Sequence, residues 1–248
     1  MELLKPDWNQ KKPTSIQVRA MCQQVALKSR ELSDPRLNTV LNRIRETHQH
    51  GGALFASFQV GSSEAFDWFA SRARILEFGL LRQLLDRAEV TSALPALQIQ
   101  PSSPEDPAFF VSRLKDLGSS EQMAEMLNHP VTGDLLRRDG IDEEFEIGGF
   151  ANDGNFQATS SFLFDGELAG SLYAGGAYTS ATGDGRTEKE NALAFCEALF
   201  ELRFSEVQYY SSHEAWTSWF GNIAWDWTAI LFDLRTRALS ILAITDSD

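Results

Sequence analysis

EVQYYSSHEAWTSWFGNIAWDWTAILFDLRTRALSILAITDSD, residues 206–248, holds two strongly apolar runs, Ala224–Phe232 and Ala238–Ile244, separated by the polar turn Asp233–Arg237. Successive side chains of a strand point to opposite faces of its sheet. In the first run both sets are apolar: Trp225, Trp227, Ala229 and Leu231 on one face, Ile230 and Phe232 on the other. A strand that is apolar on both faces needs cover on both. We therefore predict a β-hairpin at the centre of a sheet.

The remainder of residues 118–248 predicts an α+β region in the order βββ-α-βββ. Asp165-Gly166 is a two-residue hairpin signal between two apolar runs. Thr187 and Glu190 have the spacing of a capping box, which predicts the start of a crossing helix. The other predicted elements are the strands Glu144–Phe150, Phe156–Phe164, Glu167–Ala174 and Glu206–Ser211, and the helix Glu188–Leu202.

Residues 1–117 are predicted to form a helical layer. Thr14 and Gln17 fit a capping box for a helix that continues to about Leu32. Asp34-Pro35 is a second start signal, and Ser62 begins a long helix to about Ala88. Ala53–Val60 is ambiguous between a strand and a short buried helix. The fold class is therefore α+β, with a soft boundary near residue 118; one continuous domain is the alternative.

The charge of the chain is uneven along its length. Residues 1–117 carry 15 Lys/Arg and 13 Asp/Glu, whereas residues 118–248 carry 7 Lys/Arg and 22 Asp/Glu. Such an acidic stretch repels nucleic acid and anionic lipid and attracts basic partners or cations. Solubility alone is the competing explanation for this charge.

The chain contains no run of 18 apolar residues, so no membrane span is predicted, and the first residues do not resemble a signal peptide. Cys22 and Cys196 are expected to be reduced core thiols, so a cytoplasmic location is expected.

Two groups of residues are candidates for binding a basic protein partner. The first is an acidic run with few basic neighbours: Asp142, Glu143, Glu144, Glu146 and Asp153. The second is the pair Trp216 and Trp219, which we expect to be exposed in a connector, where tryptophan favours interfaces. The alternative for the acidic run is a solvated edge strand, where like charges deter pairing between sheet edges. The alternative for the two tryptophans is packing in the core.

A catalytic alternative centres on His213, with Glu214 and Asp226 nearby in sequence. A histidine among carboxylates and aromatic walls can serve as a general acid or base, because its surroundings move the pKa towards neutrality. A histidine at the rim of an aromatic core is the other interpretation. The His48-x-His50 pair has no Cys or carboxylate at ligand spacing, and the loop Gly175–Arg186 lacks phosphate-binding motifs. We predict no metal and no cofactor.

In size, acidity and lack of motifs the chain resembles the immunity proteins that neutralise bacterial toxins in the producing cell. That resemblance implies a non-catalytic inhibitor that covers the active site of a basic toxin domain. The runner-up is a hydrolase or transferase using His213 with the nearby carboxylates. A subunit of a larger assembly is a third possibility, and the oligomeric state stays open.

Overall fold

A six-stranded antiparallel sheet organises the computed structural model, which describes residues 2–97, 156–179, 183–217, 219–221 and 223–246. The strand order across the sheet is β1-β2-β6-β5-β4-β3. The strands are β1 (Leu27–Ser29), β2 (Gly52–Val60), β3 (Gln157–Thr159), β4 (Val207–Ser212), β5 (Trp227–Asp233) and β6 (Ala238–Thr245). The hairpin β5–β6 lies at the centre, as the sequence predicts, and all of its strand residues are buried.

Seven α-helices of the described residues pack on the two faces of this sheet. One face carries α2, α6 and α7, and the other carries α1, α3, α4 and α5. Their bounds are α1 (Ser15–Gln24), α2 (Pro35–Thr47), α3 (Glu64–Ala70), α4 (Leu80–Leu85), α5 (Ala88–Ala93), α6 (Phe164–Ala174) and α7 (Gly185–Phe200). Short 3-10 helices lie at Glu77–Gly79, Pro95–Leu97, Ser161–Leu163 and Phe204–Glu206. The α+β class is confirmed.

The alternation of side chains along β5 divides the core into two. Ile230 and Phe232 join the cluster under α1, α3, α4 and α5, whereas Ala229 and Leu231 join the cluster under α2, α6 and α7. Trp227 is buried in the second cluster. The strand is therefore covered on both faces, which is what its doubly apolar pattern requires.

Strand β2 links the N-terminal stretch to the C-terminal hairpin. It pairs with β6 over eight residue pairs, from Gly52 with Thr245 to Gln59 with Ala238. The ambiguity at Ala53–Val60 is resolved in favour of a strand, because the central β6 has a free edge that this segment completes. One sheet thus takes strands from both sides of the boundary expected near residue 118, which itself lies outside the described residues.

Two helix starts are confirmed, but the helices that follow are shorter than the pattern predicts. Thr14 and Gln17 form the capping box, and Asp34 caps α2 with Pro35 in its first turn. Helix α1 ends at Gln24 rather than near Leu32, because Leu27–Ser29 pairs with the edge of β2. Hydrogen bonding to the sheet outweighs local helical preference here.

The predicted long helix from Ser62 to Ala88 is wrong. The chain forms α3, α4 and α5 with breaks between them, and both Ala73 and Gly79 have left-handed backbone, with φ of +54° and +60°. A left-handed residue cannot continue a right-handed helix. The nearly all-round apolar pattern reflects short helices that turn repeatedly to cover the sheet.

The predicted hairpin at Asp165-Gly166 is also wrong, because these residues lie in the first turn of α6. Phe164, Leu168 and Leu172 recur at helical spacing and are all buried. An acidic residue in the first turn suits the helix dipole, so Asp165 is compatible with either structure. The order βββ-α-βββ is not confirmed: in the described residues, β3 is followed by two helices and then by three strands. The predicted strand Glu144–Phe150 lies outside them.

Helix α7 is confirmed, but its cap is not the predicted one. Asp184 rather than Thr187 is the N-cap, and its Oδ1 accepts hydrogen bonds from the N–H groups of Arg186 and Thr187. The backbone and side-chain hydrogen bonds of Thr187 lower the pKa of Asp184. The helix therefore starts three residues earlier than the capping-box pattern indicates.

Candidate protein-interaction surface

The two tryptophans expected to form an exposed pair belong to the core. Trp216 is only 5% exposed, and its indole Nε1 donates to Thr228 Oγ1 at 2.8 Å. Its ring contacts Phe156 at 5.6 Å between centroids, edge to face. Trp219 is half-buried and packs against the same core cluster. The expectation of an exposed pair is wrong for Trp216, because the connector between β4 and β5 folds back over the sheet.

The predicted acidic binding residues Asp142, Glu143, Glu144, Glu146 and Asp153 lie outside the described residues. Their role in binding stays a prediction.

The three residues of the catalytic alternative are placed in different surroundings. His213 is exposed and stacks on Trp227, with 6.5 Å between ring centroids, and Glu214 is also exposed. Asp226 is 1% exposed. One oxygen of its carboxylate accepts from Thr245 Oγ1 at 2.5 Å and the other from the N–H of Ile223 at 3.0 Å. Asp226 therefore fastens the connector to β6, whereas His213 lies at the rim of the aromatic core.

Arginines neutralise several carboxylates of the C-terminal stretch. Glu188, 1% exposed, is paired with Arg43 at 3.0 Å, and Glu197 is paired with Arg36 at 2.7 Å. Both arginines come from α2. The excess negative charge expected from the sequence is thus partly balanced across the two stretches.

A second network neutralises acids at the turn between β5 and β6. Arg203 lies 2.7 Å from Asp233 and 2.9 Å from Glu206, and Arg235 also pairs with Glu206. Hydrogen bonds from Arg235 and Arg203 lower the pKa of Glu206. Acidic charge alone therefore does not define a docking surface in the described residues.

Most of the large exposed apolar side chains lie in or beside the helices α6 and α7. Six large hydrophobic residues of the described chain are exposed, and five of them flank α6 and α7. These five, each between 42% and 66% exposed, are Phe162, Leu163, Tyr173, Tyr178 and Leu202. We call them the layer residues. Clustered exposed apolar side chains are typical of interaction sites, whereas single ones are ordinary.

The first end of the layer is formed by the chain before α6 and the chain after α7. Phe162 stacks on Phe204 with 5.5 Å between centroids, and Ser161 Oγ donates to the Phe204 carbonyl at 2.6 Å. Glu201 and Leu202 both have left-handed backbone, each with φ of +56°. Glycine or asparagine usually takes such a position at a helix end, because other residues are strained there. Here a leucine takes it and stays 42% exposed.

The opposite end of the layer is held by a buried carboxylate. Asp246 accepts from the N–H of Ala177 at 2.7 Å and from the N–H of His50 at 3.0 Å. The loop after α6 is thereby fixed to the turn before β2. Tyr178, on this loop, meets the His50 ring edge to face at 5.6 Å. Tyr178 thus lies on a loop that the Asp246 carboxylate holds to the rest of the fold.

Sequence reasoning missed this surface because it read residues 156–174 as a hairpin. The signal that could have found it is the helical spacing of Phe164, Leu168 and Leu172. That spacing leaves Leu163, Gly166, Gly170 and Tyr173 together on the other side of the helix.

Other site types find little support in the part of the chain that is described. No three His, Cys, Asp or Glu residues there form a group that could hold a metal ion. His48 and His50 have different neighbours: the His48 Nδ1 lies 3.1 Å from the Ile44 carbonyl, whereas His50 contacts Tyr178. Cys196 is the expected buried free thiol, and burial raises its pKa. The side chain of Cys22 lies outside the described part.

None of the described helices combines the length and the apolar character needed to cross a membrane. No protein-family model matches the chain, and no curated protein or solved structure matches it either.

Proposed function

We propose that the protein is a non-catalytic binding protein that docks a basic protein partner on the α6–α7 layer. The observation that carries this proposal is the position of the five layer residues, which lie in the acidic C-terminal stretch. Residues 156–179 and 183–202 around these helices contain seven Asp/Glu and two Lys/Arg. Ion pairs with basic side chains of α2 and α7 balance part of this charge. A few side chains, most often Trp, Tyr and Arg, supply most of the affinity at interfaces, and surrounding charge speeds association and selects the partner.

The narrower proposal concerns the kind of partner. A cytoplasmic immunity protein that covers the active site of a basic toxin domain would need an acidic surface with a few apolar contact residues. The support for this class is the resemblance in size and acidity together with the layer residues. The acidic run Asp142–Asp153 stays part of the proposal as a set of binding residues.

The partner can be identified by co-purification from the source cells with mass spectrometry, followed by reconstitution from purified components. We expect a basic partner in stoichiometric amount, whose association slows as salt is raised, because salt screens charges separated by more than about 10 Å. An acidic partner, or an association rate that salt leaves unchanged, would contradict the proposal.

Point variants then test the surface. Phe162→Ser and Tyr178→Ser are each expected to weaken affinity about tenfold or more, which is the usual range for an interface hot spot. Trp8→Ser is the matched control, because Trp8 is the sixth exposed hydrophobic residue and lies outside the layer. Equal affinity for all three variants and the parent protein would remove the layer residues from the interface.

His213→Ala addresses the catalytic alternative. His213 is exposed and is not one of the layer residues, so binding to the partner is expected to persist in this variant. A hydrolase or transferase that relies on this imidazole would lose its activity. Measurable turnover that disappears in His213→Ala would favour the enzyme over the binding protein.

A further inference from the structure

Three cationic side chains at one edge of the sheet form no ion pair with a carboxylate in the described residues. They are Lys28 of β1, Arg30 directly after β1, and Arg45 of α2. The other two arginines in the body of α2, Arg36 and Arg43, are both ion-paired. The Nη1 of Arg30 is buried and makes no hydrogen bond in this part of the chain. This edge therefore keeps positive charge, although the chain as a whole carries −13.

The three cations lie on the same face of the sheet. Leu27 of β1 joins the core cluster under α1, α3, α4 and α5. Because side chains alternate along a strand, Lys28 and Arg30 point to the opposite face, which carries α2. Arg45 comes from α2 itself, and its Nη2 donates to the Ala53 carbonyl of β2 at 3.2 Å. The charge is thus collected along the edge formed by β1 and β2.

The backbone of β2 is open between the two arginines. The Ser57 carbonyl accepts from the N–H of Arg30 at 2.8 Å, and the Ala53 carbonyl accepts from Arg45. Alternate residues of an antiparallel strand direct their backbone groups to the same side. Phe55 lies midway, so its N–H and C=O also point away from β6. Neither group has a hydrogen-bond partner among the described residues, because β1 ends before this point.

We propose that this open edge is a docking site for an extended acidic segment of another protein, which adds a strand beside β2 in line with β1. Unpaired strand edges are templates for such addition, and main-chain hydrogen bonds supply the affinity. The residue of the segment opposite Phe55 would carry its side chain on the α2 face, next to Arg30. A carboxylate there would form charge-assisted hydrogen bonds with a guanidinium that no acid of the described chain neutralises. The site is independent of the α6–α7 layer.

The surface beside β2 indicates which residues should alternate with the acids. Leu54, Phe55 and Ala56 are only partly buried, whereas every residue of β5 and β6 is buried. Leu54 and Ala56 pack against the cluster on the face opposite α2. Apolar side chains of the added strand would lie beside these two residues. The segment that fits the edge therefore alternates acidic and apolar residues.

Charge selects an acidic segment over a second copy of this chain. Two paired β2 edges would bring Arg30 and Arg45 of both copies together, and like charges across a strand pair are destabilising. Glu31 and Glu46 are sequence neighbours of these arginines, but both are exposed and neither forms an ion pair in the described part. The net negative charge of the chain opposes an acidic ligand at long range. At physiological salt, exposed charges more than about 8 Å apart are largely screened, so the adjacent cations decide.

Four short synthetic peptides serve as probes. The first alternates glutamate with valine, and the second has lysine in place of glutamate. In antiparallel pairing with Phe55, the glutamate N–H groups face β2 and the valine N–H groups face away. The third peptide therefore carries N-methyl groups on the glutamate amides of the first, and the fourth carries them on its valine amides.

The parent protein is expected to bind the glutamate–valine peptide saturably in titration calorimetry. The lysine peptide should bind about tenfold more weakly or worse, because like charges meet at the edge. Methylation of the glutamate amides should weaken binding about tenfold or more, since hydrogen bonds to β2 are lost. Methylation of the valine amides should leave the affinity unchanged. Equal affinity for the two methylated peptides would refute strand addition.

Arg30→Gln tests the cationic part of the site. This variant is expected to bind the glutamate–valine peptide about fivefold more weakly, the range for a partly exposed ion pair. Arg186→Gln is the matched control, because Arg186 is an exposed arginine of α7 paired with Glu190. Circular dichroism and thermal melting would check that both variants fold. An Arg30→Gln variant that binds as well as Arg186→Gln would remove this arginine from the site.

Two further outcomes would overturn the proposal. A parent protein that binds neither the glutamate nor the lysine peptide has no strand-accepting edge at β2. A dimer of the parent in sedimentation velocity that the glutamate–valine peptide dissociates would assign the edge to a second copy and refute the acidic segment. None of these results bears on the α6–α7 layer, so the proposed function is tested separately.

Discussion

Asp246 and Ala177 are joined by a hydrogen bond of 2.7 Å, from the backbone N–H of Ala177 to the Oδ2 of the aspartate. The other carboxylate oxygen accepts from the N–H of His50 at 3.0 Å. Asp246 is 1% exposed, so its charge depends on these donors rather than on water. The residue directly after β6 thus fixes the two loops that carry Tyr178 and His50.

Replacing Asp246 with alanine is expected to lower the free energy of unfolding by about 3 kcal/mol, because two partly buried N–H groups lose their acceptor. Urea denaturation would measure the change. Glu190→Ala is the control, since Glu190 makes an exposed pair with Arg186, and it should cost less than about 0.5 kcal/mol. Equal losses for the two variants would refute the role given to Asp246.

Gly176 and Gly170 should respond to alanine with opposite signs. A Cβ at Gly176 would lie too close to the Asp246 carboxylate and to the Thr47 carbonyl, whereas a Cβ at Gly170 meets open space. We expect Gly176→Ala to destabilise the protein by about 2 kcal/mol through overpacking. Gly170→Ala should stabilise it by about 0.5–1 kcal/mol, because alanine is the better helix former. Thermal unfolding of both variants provides the measurement, and a shift of the same sign in both would contradict it.

Ser57 and Ser240 face each other across β2 and β6, with 2.9 Å between their hydroxyl oxygens, and both are buried. A single Ser57→Ala variant leaves the Ser240 hydroxyl without this partner and should cost about 1–2 kcal/mol. The double variant Ser57→Ala/Ser240→Ala removes both polar groups and should recover most of the loss. A double-mutant cycle by urea denaturation tests this. Strictly additive losses would show that the two hydroxyls are not coupled.

The lowered pKa of Asp233 links the stability of the fold to pH. Burial acts to raise the pKa of Asp233, but hydrogen bonds from Arg203 and Thr236 outweigh it, so the pKa lies below the ordinary 3.8. A lowered carboxyl pKa contributes stability that is present above the unfolded-state value and is lost as the pH falls through the folded-state value. The loss from Asp233 should therefore begin near pH 4 and continue below it.

In Asp233→Asn, stability at neutral pH should fall and the acid limb of the stability curve should become shallower. The measurement is the free energy of unfolding as a function of pH. Glu31→Gln, which removes an exposed carboxylate, is the control and should follow the parent curve. An acid limb in Asp233→Asn as steep as in the parent would exclude this carboxylate as a cause.

The central hairpin could be predicted because its information is local. Ile230 and Phe232 alternate with Ala229 and Leu231, and this pattern has one interpretation, a strand covered on both sides. Residues around Asp165-Gly166 are different, because Phe164, Leu168 and Leu172 fit a helix while the Asp-Gly pair fits a turn. Packing of α6 against α7 and the sheet decides between them, and that information is distant in sequence.

The candidate surface could not be predicted for the same reason. One must first know that the segment is a helix before assigning a common exposed face to Leu163, Gly166, Gly170 and Tyr173. Trp216 shows the complementary difficulty, since a tryptophan in a connector can face water or fold inward. Its neighbour Phe156 is 60 positions earlier in the chain, and no local pattern reports on that contact.

The pairing of β2 with β6 has a consequence for synthesis on the ribosome. Gln59 of β2 cannot pair until Ala238 of β6 has been synthesised, 179 positions later in the chain. At about 5–20 residues per second, that interval lasts roughly 10–40 seconds. During this time the apolar side chains of β2, among them Phe58, lack the neighbour that later covers them. The nascent chain is therefore a candidate client for chaperones, and faster translation should shorten the period in which it can aggregate.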